Sequence, residues 1–201
     1  MEFRGTAATA EALDSAADTM VAAADALGDA LDAGPTARAR PIGEVLALEA
    51  RADVQYERLL TAAAASADRI DAEGLYDIAE GIDTTVDAVH DICQLLEAYQ
   101  VDRLPDGYVV QADDLLEMTS VVRRMLQAQS MDEVIAGWRR VNRGNGQVTA
   151  RHRIIVAQLL DGSTDPLTAI KLKDIAESVA ACANSVEQLA RTVTLLASRD
   201  S

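Results

Sequence analysis

The chain repeats itself. Residues 75–80 read Leu-Tyr-Asp-Ile-Ala-Glu and residues 172–177 read Leu-Lys-Asp-Ile-Ala-Glu, an offset of 97 in a chain of 201 residues. The same offset carries Ile82 onto Val179 and Val89 onto Val186, so apolar positions stay in helical phase beyond the matched hexapeptide. An offset near half the length predicts two copies of one unit. A helical unit this small gains by packing on its twin.

The spacing of apolar residues predicts six helices. The first runs over about Thr6–Asp32 and stops at Gly34-Pro35. The second opens at Pro41 and runs to about Ile70, with Ile42, Val45, Leu48, Ala52, Tyr56, Leu59 and Ala63 on one stripe. The third covers about Asp71–Gln100, with Leu75, Ile78, Ile82, Val86, Val89, Ile92 and Leu96 at near-heptad spacing. After a loop at Asp102–Gly107, the fourth spans about Tyr108–Gln129. The fifth opens at Asp132 and ends near Asp161-Gly162-Ser163. The sixth is launched by Asp165-Pro166 and reaches about Ser198. Aromatic residues are only 3% of the chain while apolar residues are 49%, so the core must be aliphatic. Side chains of that kind suit close helix packing and not a β-sandwich. The expected fold is all-α, two tandem three-helix bundles, divided as 1–103 and 104–201.

Charge narrows the function. A net charge of −15 excludes a nucleic-acid binder, which needs a basic surface. Lys171 and Lys173 are the only lysines. This Asp-rich, Lys-poor composition suggests adaptation to high salt, with a GC-rich genome as the alternative source. The acidity is uneven. Residues 1–103 hold 7 Lys/Arg against 21 Asp/Glu, and residues 104–201 hold 11 against 12. Arg139, Arg140, Arg143, Arg151 and Arg153 form a local basic run, either a solvated face or a docking surface for an acidic partner or the acidic half of a second copy. Cys93 and Cys182 stand apart, as reduced core thiols would. No signal peptide or transmembrane segment is evident, so a cytoplasmic protein is expected, peripheral to the membrane at most.

Catalytic signatures are missing: the sequence contains no Walker loop, GxSxG, HExxH or dinucleotide fingerprint. His90 and His152 have no matching nucleophile and read as surface or half-buried helix positions. No enzyme is expected. The informative groups are carboxylates at i, i+4. Glu49 and Asp53 pair on the second helix and fall, by helical phase, inside the stripe of Ile42, Val45, Tyr56 and Leu60. Asp83 and Asp87 pair on the flank of the third helix, with His90 the one histidine near them. A desolvated carboxylate must be paired, protonated or bound to a cation. Two antiparallel helices could aim these four oxygen donors at one cation or small cluster; the alternative is a misplaced core acid beside ordinary surface acids.

Three stretches resemble the PhoU-like family, in the branch associated with Pit-type inorganic phosphate transporters. Leu48-Glu49-Ala50-Arg51-Ala52-Asp53 is similar to its ExxxD helix, residues 71–87 to its second carboxylate helix, and Asp165 to Glu177 to the opening of its C-terminal helix. The resemblance implies paired three-helix bundles with multinuclear metal sites, iron in some relatives. It also implies regulation of phosphate uptake through a membrane transporter or signalling protein rather than catalysis, with a homo-oligomer open. Glu49, Asp53, Asp83 and Asp87 match the expected ligands, for a divalent or iron-type metal. The second copy departs: Asn145, Thr149, Ala180 and Asn184 stand where acids are expected, so no second site is implied. A metal-binding bundle whose ion binding is its activity, or a metal-free scaffold, are the alternatives.

Overall fold

The computed structural model of the protein describes residues 6–65 and 69–199, and for residues 69–71 the backbone alone. Six helices make up the described residues: α1 (Ala7–Asp32), α2 (Ala39–Ala64), α3 (Arg69–Tyr99), α4 (Asp106–Leu126), α5 (Met131–Leu159) and α6 (Pro166–Arg199). Three of their starts, those of α1, α5 and α6, follow from side-chain capping. Thr6 accepts a hydrogen bond from the Thr9 amide, Ser130 from that of Glu133, and Asp165 from that of Thr168. Each satisfies an amide the first helical turn leaves free.

Three boundaries differ from the sequence reading. α2 begins at Ala39, which places Pro41 in the first turn, where its missing N–H removes no helical bond. The helix ends at Ala64, and Ile70 already belongs to α3. The run Ala62-Ala63-Ala64-Ala65 favours helix throughout and carries no Gly or Pro to mark the stop. Residues 66–68, across which the sequence reading continues the second helix, lie outside the described residues. α4 likewise begins earlier, at Asp106, because Pro105 sets its entry.

α1, α3, α4 and α6 form the centre, with α2 laid against α1 and α3, and α5 against α4 and α6. Helices consecutive in the chain run antiparallel, and so do α3 and α6. α1 is buried on nearly every side through Leu13, Ala16, Ala17, Met20, Ala23, Ala24, Leu27, Ala30 and Leu31. Alanine lets three neighbours approach one axis closely, and it does so at the lowest entropic cost of any helix former. The two halves share one continuous hydrophobic cluster. Between α3 and α6, glycines make the approach: a Cβ on Gly81 would lie 2.8 Å from Leu189 Cδ1, and one on Gly74 would lie 2.9 Å from Leu196 Cδ2. Thr85 and Cys182, 97 residues apart, meet there, with the thiol 3.8 Å from the Thr85 carbonyl. Both cysteines are free and buried, and burial raises the thiol pKa of each to about 12, so they behave as small apolar groups.

One buried charge ties the first half together. Arg38 is only 3% exposed, and its guanidinium donates to the carbonyls of Ala30, Ala33, Val101 and Asp102 at 2.8–3.0 Å. These are carbonyls at the end of α1 and just beyond α3, where helix ends leave acceptors free and the dipole is negative. Across the halves, Lys171 donates to the Tyr99 carbonyl at 3.0 Å, and Tyr99 donates to Asp174 at 2.9 Å.

Lysine has one nitrogen where Arg38 uses three. Arg38→Lys is expected to destabilise the protein by roughly 2–4 kcal/mol, because at least two buried carbonyls lose their donor. A fall in urea midpoint at constant m-value would register it; an unchanged midpoint would contradict the clamp.

Candidate metal centre

α2 and α3 lie side by side and antiparallel, so the i, i+4 pair on each points across the same seam. Carboxylate oxygens of Glu49, Asp53 and Asp87 all lie within 4.8 Å of one another. Donors about one ion are separated by at most twice the metal–oxygen distance of roughly 2.0–2.6 Å, so these three can share a cation. The fourth acid, Asp83, stands outside that trio. Its Oδ1 is buried without a hydrogen-bond partner.

The burial of these acids is not what the helical phase of α2 predicts. Asp53 is exposed and Glu49 only half-buried. The buried stripe of α2 runs through Val45, Ala52, Gln55 and Leu59, and Gln55 is held there by donating to Ser15 of α1 at 2.8 Å. Asp53 lies one position past Ala52 and is turned outward. The desolvated acid is instead Asp83. Its pKa rises to about 6, first through burial and then through repulsion from Asp87, Asp53, Glu49 and Glu80. Asp87 is raised as well, by burial and by Asp53 and Asp91, with His90 opposing.

Among the described residues, His90 is the one base paired with any of the four: its Nδ1 lies 3.7 Å from Glu49 Oε1. Asp83, Asp87 and His90 stand at i, i+4 and i+7 on one face of α3, a spacing visible in the sequence. Tyr56 adds a polar border above the seam. Its hydroxyl is hydrogen-bonded to Tyr76, which with burial and the nearby Glu80 and Asp83 pushes its pKa up to about 12. The orphaned Asp83 oxygen and the uncompensated carboxylate cluster are features a bound cation would satisfy, so the donor set fits a hard or borderline divalent ion.

The second half builds a different arrangement at the corresponding place. Asn145 of α5 donates through Nδ2 to Asn184 Oδ1 at 3.0 Å and to Glu187 Oε2 at 2.5 Å. Arg191 pairs with Glu187 at 3.4 Å and lies over the Trp138 ring at 5.6 Å. Thr149 and Ala180 complete the positions where acids would be required. Neutral amides and an ion pair replace the carboxylate cluster there, with Asn145 Oδ1 buried without a hydrogen-bond partner. In the basic run, Arg140 pairs with Glu117 and Arg151 with Asp114 of α4, while Arg139, Arg143 and Arg153 are exposed. His152, the other histidine, is half-buried and remote from the carboxylates; its Nδ1 is buried without a partner.

No family model matches this sequence, and no curated protein does either. The fold is nonetheless recognisable. A crystal structure of a PhoU-like protein from Shewanella oneidensis MR-1 superposes with a TM-score of 0.83 at 13% identity, covering 94% of this chain and 99% of that one. A second, of a PhoU-like phosphate regulatory protein from the same organism, gives 0.82 at 13% identity, with 94% and 98% covered. The chain therefore has the PhoU-like fold along nearly its whole length, as the sequence resemblance implies. No helix among the described residues is long and apolar enough to cross a membrane.

With Asp83 at about 6 against an ordinary 3.8, the folded protein holds a proton the unfolded chain releases. The cost of ionising Asp83 therefore enters as pH rises from about 4 to 6 and is present in full above that range. In chelator-treated protein Asp83→Asn is expected to stabilise by roughly 1 kcal/mol at pH 7, allowing for screening at a partly exposed site, and to gain nothing at pH 4. Urea unfolding at the two pH values measures this. An equal effect at both would contradict it.

Proposed function

We propose that this protein is a non-enzymatic, cytoplasmic regulator of inorganic phosphate transport, acting by contact with a Pit-type membrane transporter or a signalling protein and modulated by a metal in its first half. The observation that carries the reading is the two-way coverage: the six helices correspond to essentially the whole of a PhoU-like chain. The division at 103/104 into an acidic, metal-binding unit and a degenerate unit is part of it. Glu49, Asp53, Asp83 and Asp87 would hold the ion, which when bound supplies positive charge to a cluster that otherwise repels itself. The residues' own part is to present oxygen donors from two helices, so that occupancy draws α2 and α3 together and alters the outer surface a partner reads.

The carboxylate cluster also supports a second reading, in which ion binding is itself the activity. Stoichiometry separates the two. Elemental analysis of protein never exposed to chelator is expected to find one site's complement of a transition metal, lost in Asp83→Ala/Asp87→Ala. Immobilised protein is expected to retain the transporter from detergent-solubilised membranes. Many ions per chain would favour the second reading, and failure to retain any transporter would remove the first. Glu49→Ala is expected to lower the melting temperature only in the metal-loaded protein; stabilisation with or without metal would instead mark Glu49 as a misplaced core acid.

A further inference from the structure

Both halves contain the same three-residue relay across their outer helix pair. In the second half, Glu187 of α6 joins Arg191 one turn along to Asn145 of α5, at 3.4 Å and 2.5 Å. In the first, His90 of α3 joins Gln94 one turn along to Glu49 of α2, at 3.3 Å and 3.7 Å. His90 and Glu187 are 97 residues apart, as are Gln94 and Arg191. The bridging residue differs in chemistry, but in each case it is held from behind and reaches the same point on the facing helix.

The direction of the relay in the first half follows from its donors. With the Gln94 amide nitrogen facing it at 3.3 Å, His90 Nε2 would accept, which places the ring proton on Nδ1, 3.7 Å from Glu49 Oε1. His90 lies outside the trio of mutually close donors formed by Glu49, Asp53 and Asp87. We propose that His90 is a positioning residue: in the loaded site Nδ1–H closes the 3.7 Å gap to one oxygen of Glu49 and turns the other toward Asp53 and Asp87, while Gln94 fixes the imidazole tautomer. This rests on the reading of Glu49, Asp53, Asp83 and Asp87 as metal ligands. Partners that orient a ligand are worth about 10–100-fold in metal affinity, and here the partner sits on α3 while its ligand sits on α2.

The test uses the full chain and Mn2+, an oxygen-seeking divalent probe whose bound and free forms are resolved by electron paramagnetic resonance. His90→Leu is expected to weaken Mn2+ binding about 10–100-fold. His90→Asn, which places an amide donor near the Nδ1 position, is expected to recover most of that loss. A direct ligand role would instead leave the Asn variant weak. Nitrogen-15 spectra of metal-free wild-type protein are expected to show the Nδ1–H tautomer at His90. These two measurements keep the test valid if His90→Leu fails to fold. Full affinity in His90→Leu, no recovery in His90→Asn, or a proton on Nε2 overturns the positioning role and leaves the metal reading standing. Wild-type protein that takes up no Mn2+, Fe2+ or Zn2+ sinks the metal reading and the positioning role with it.

Discussion

The close antiparallel seam between α3 and α6 is the constraint on which the rest of this structure depends. Thr85 and Cys182 are equivalent by the repeat and meet at that seam, so the axis relating the two halves passes between them. Near it, Gly74 and Gly81 leave room that Leu196 and Leu189 fill. Gly costs roughly 1 kcal/mol relative to Ala inside a helix. Two such positions facing two leucines are consistent with packing that offsets the cost. With α3 and α6 joined, α1 and α4 close the centre, and one aliphatic cluster spans both halves. A protein with so few aromatic residues gains its stability from many small, closely spaced contacts.

The consequence for function is positional. Because α3 spends one face on α6 and another on α1, the flank carrying Asp83, Asp87 and His90 is left to α2 alone. α2 is an outer helix, held at its start by the Arg38 clamp, and Gln55 ties its middle to α1. An ion at the seam would therefore act on the least enclosed helix of the first half without disturbing the shared core. That is the arrangement expected where binding must alter a surface and leave the fold intact.

Much of this was legible in the sequence, and what was not has physical causes. The 97-residue offset and the Asp165-Pro166 start reflect local rules, and the structure follows them. Arg38 gives no signal because its partners are main-chain carbonyls, two of them more than 60 residues away, and no side-chain pattern encodes such a site. Asp53 was placed on the buried face because an average helical phase blurs a stripe by a residue over several turns. Ala52 and Gln55 take the inward positions instead. Gln55 carries no signal in the sequence, since a buried amide is identified by its partner, here Ser15, 40 residues earlier on α1. The carboxylates were found as a group. Which of them loses water was decided by packing between α2 and α3, which periodicity on one helix does not contain.

The second half serves as an internal control on the first. α5 and α6 pack together in the manner of α2 and α3, with Asn145, Thr149, Ala180 and Asn184 where the four acids stand. An amide–amide bond, a charge-assisted bond to Glu187 and the Arg191–Glu187 pair suffice there. The helix pair thus has no structural need of clustered acids, and amides of similar size fill the seam without mutual repulsion, leaving one oxygen, Asn145 Oδ1, without a partner. Acids in the first half carry a cost the second seam lacks: mutual repulsion that, together with burial, raises the Asp83 carboxyl to about 6. Repulsion among acids that converge on one seam and are absent from its equivalent is the cost that the proposed ligand would relieve.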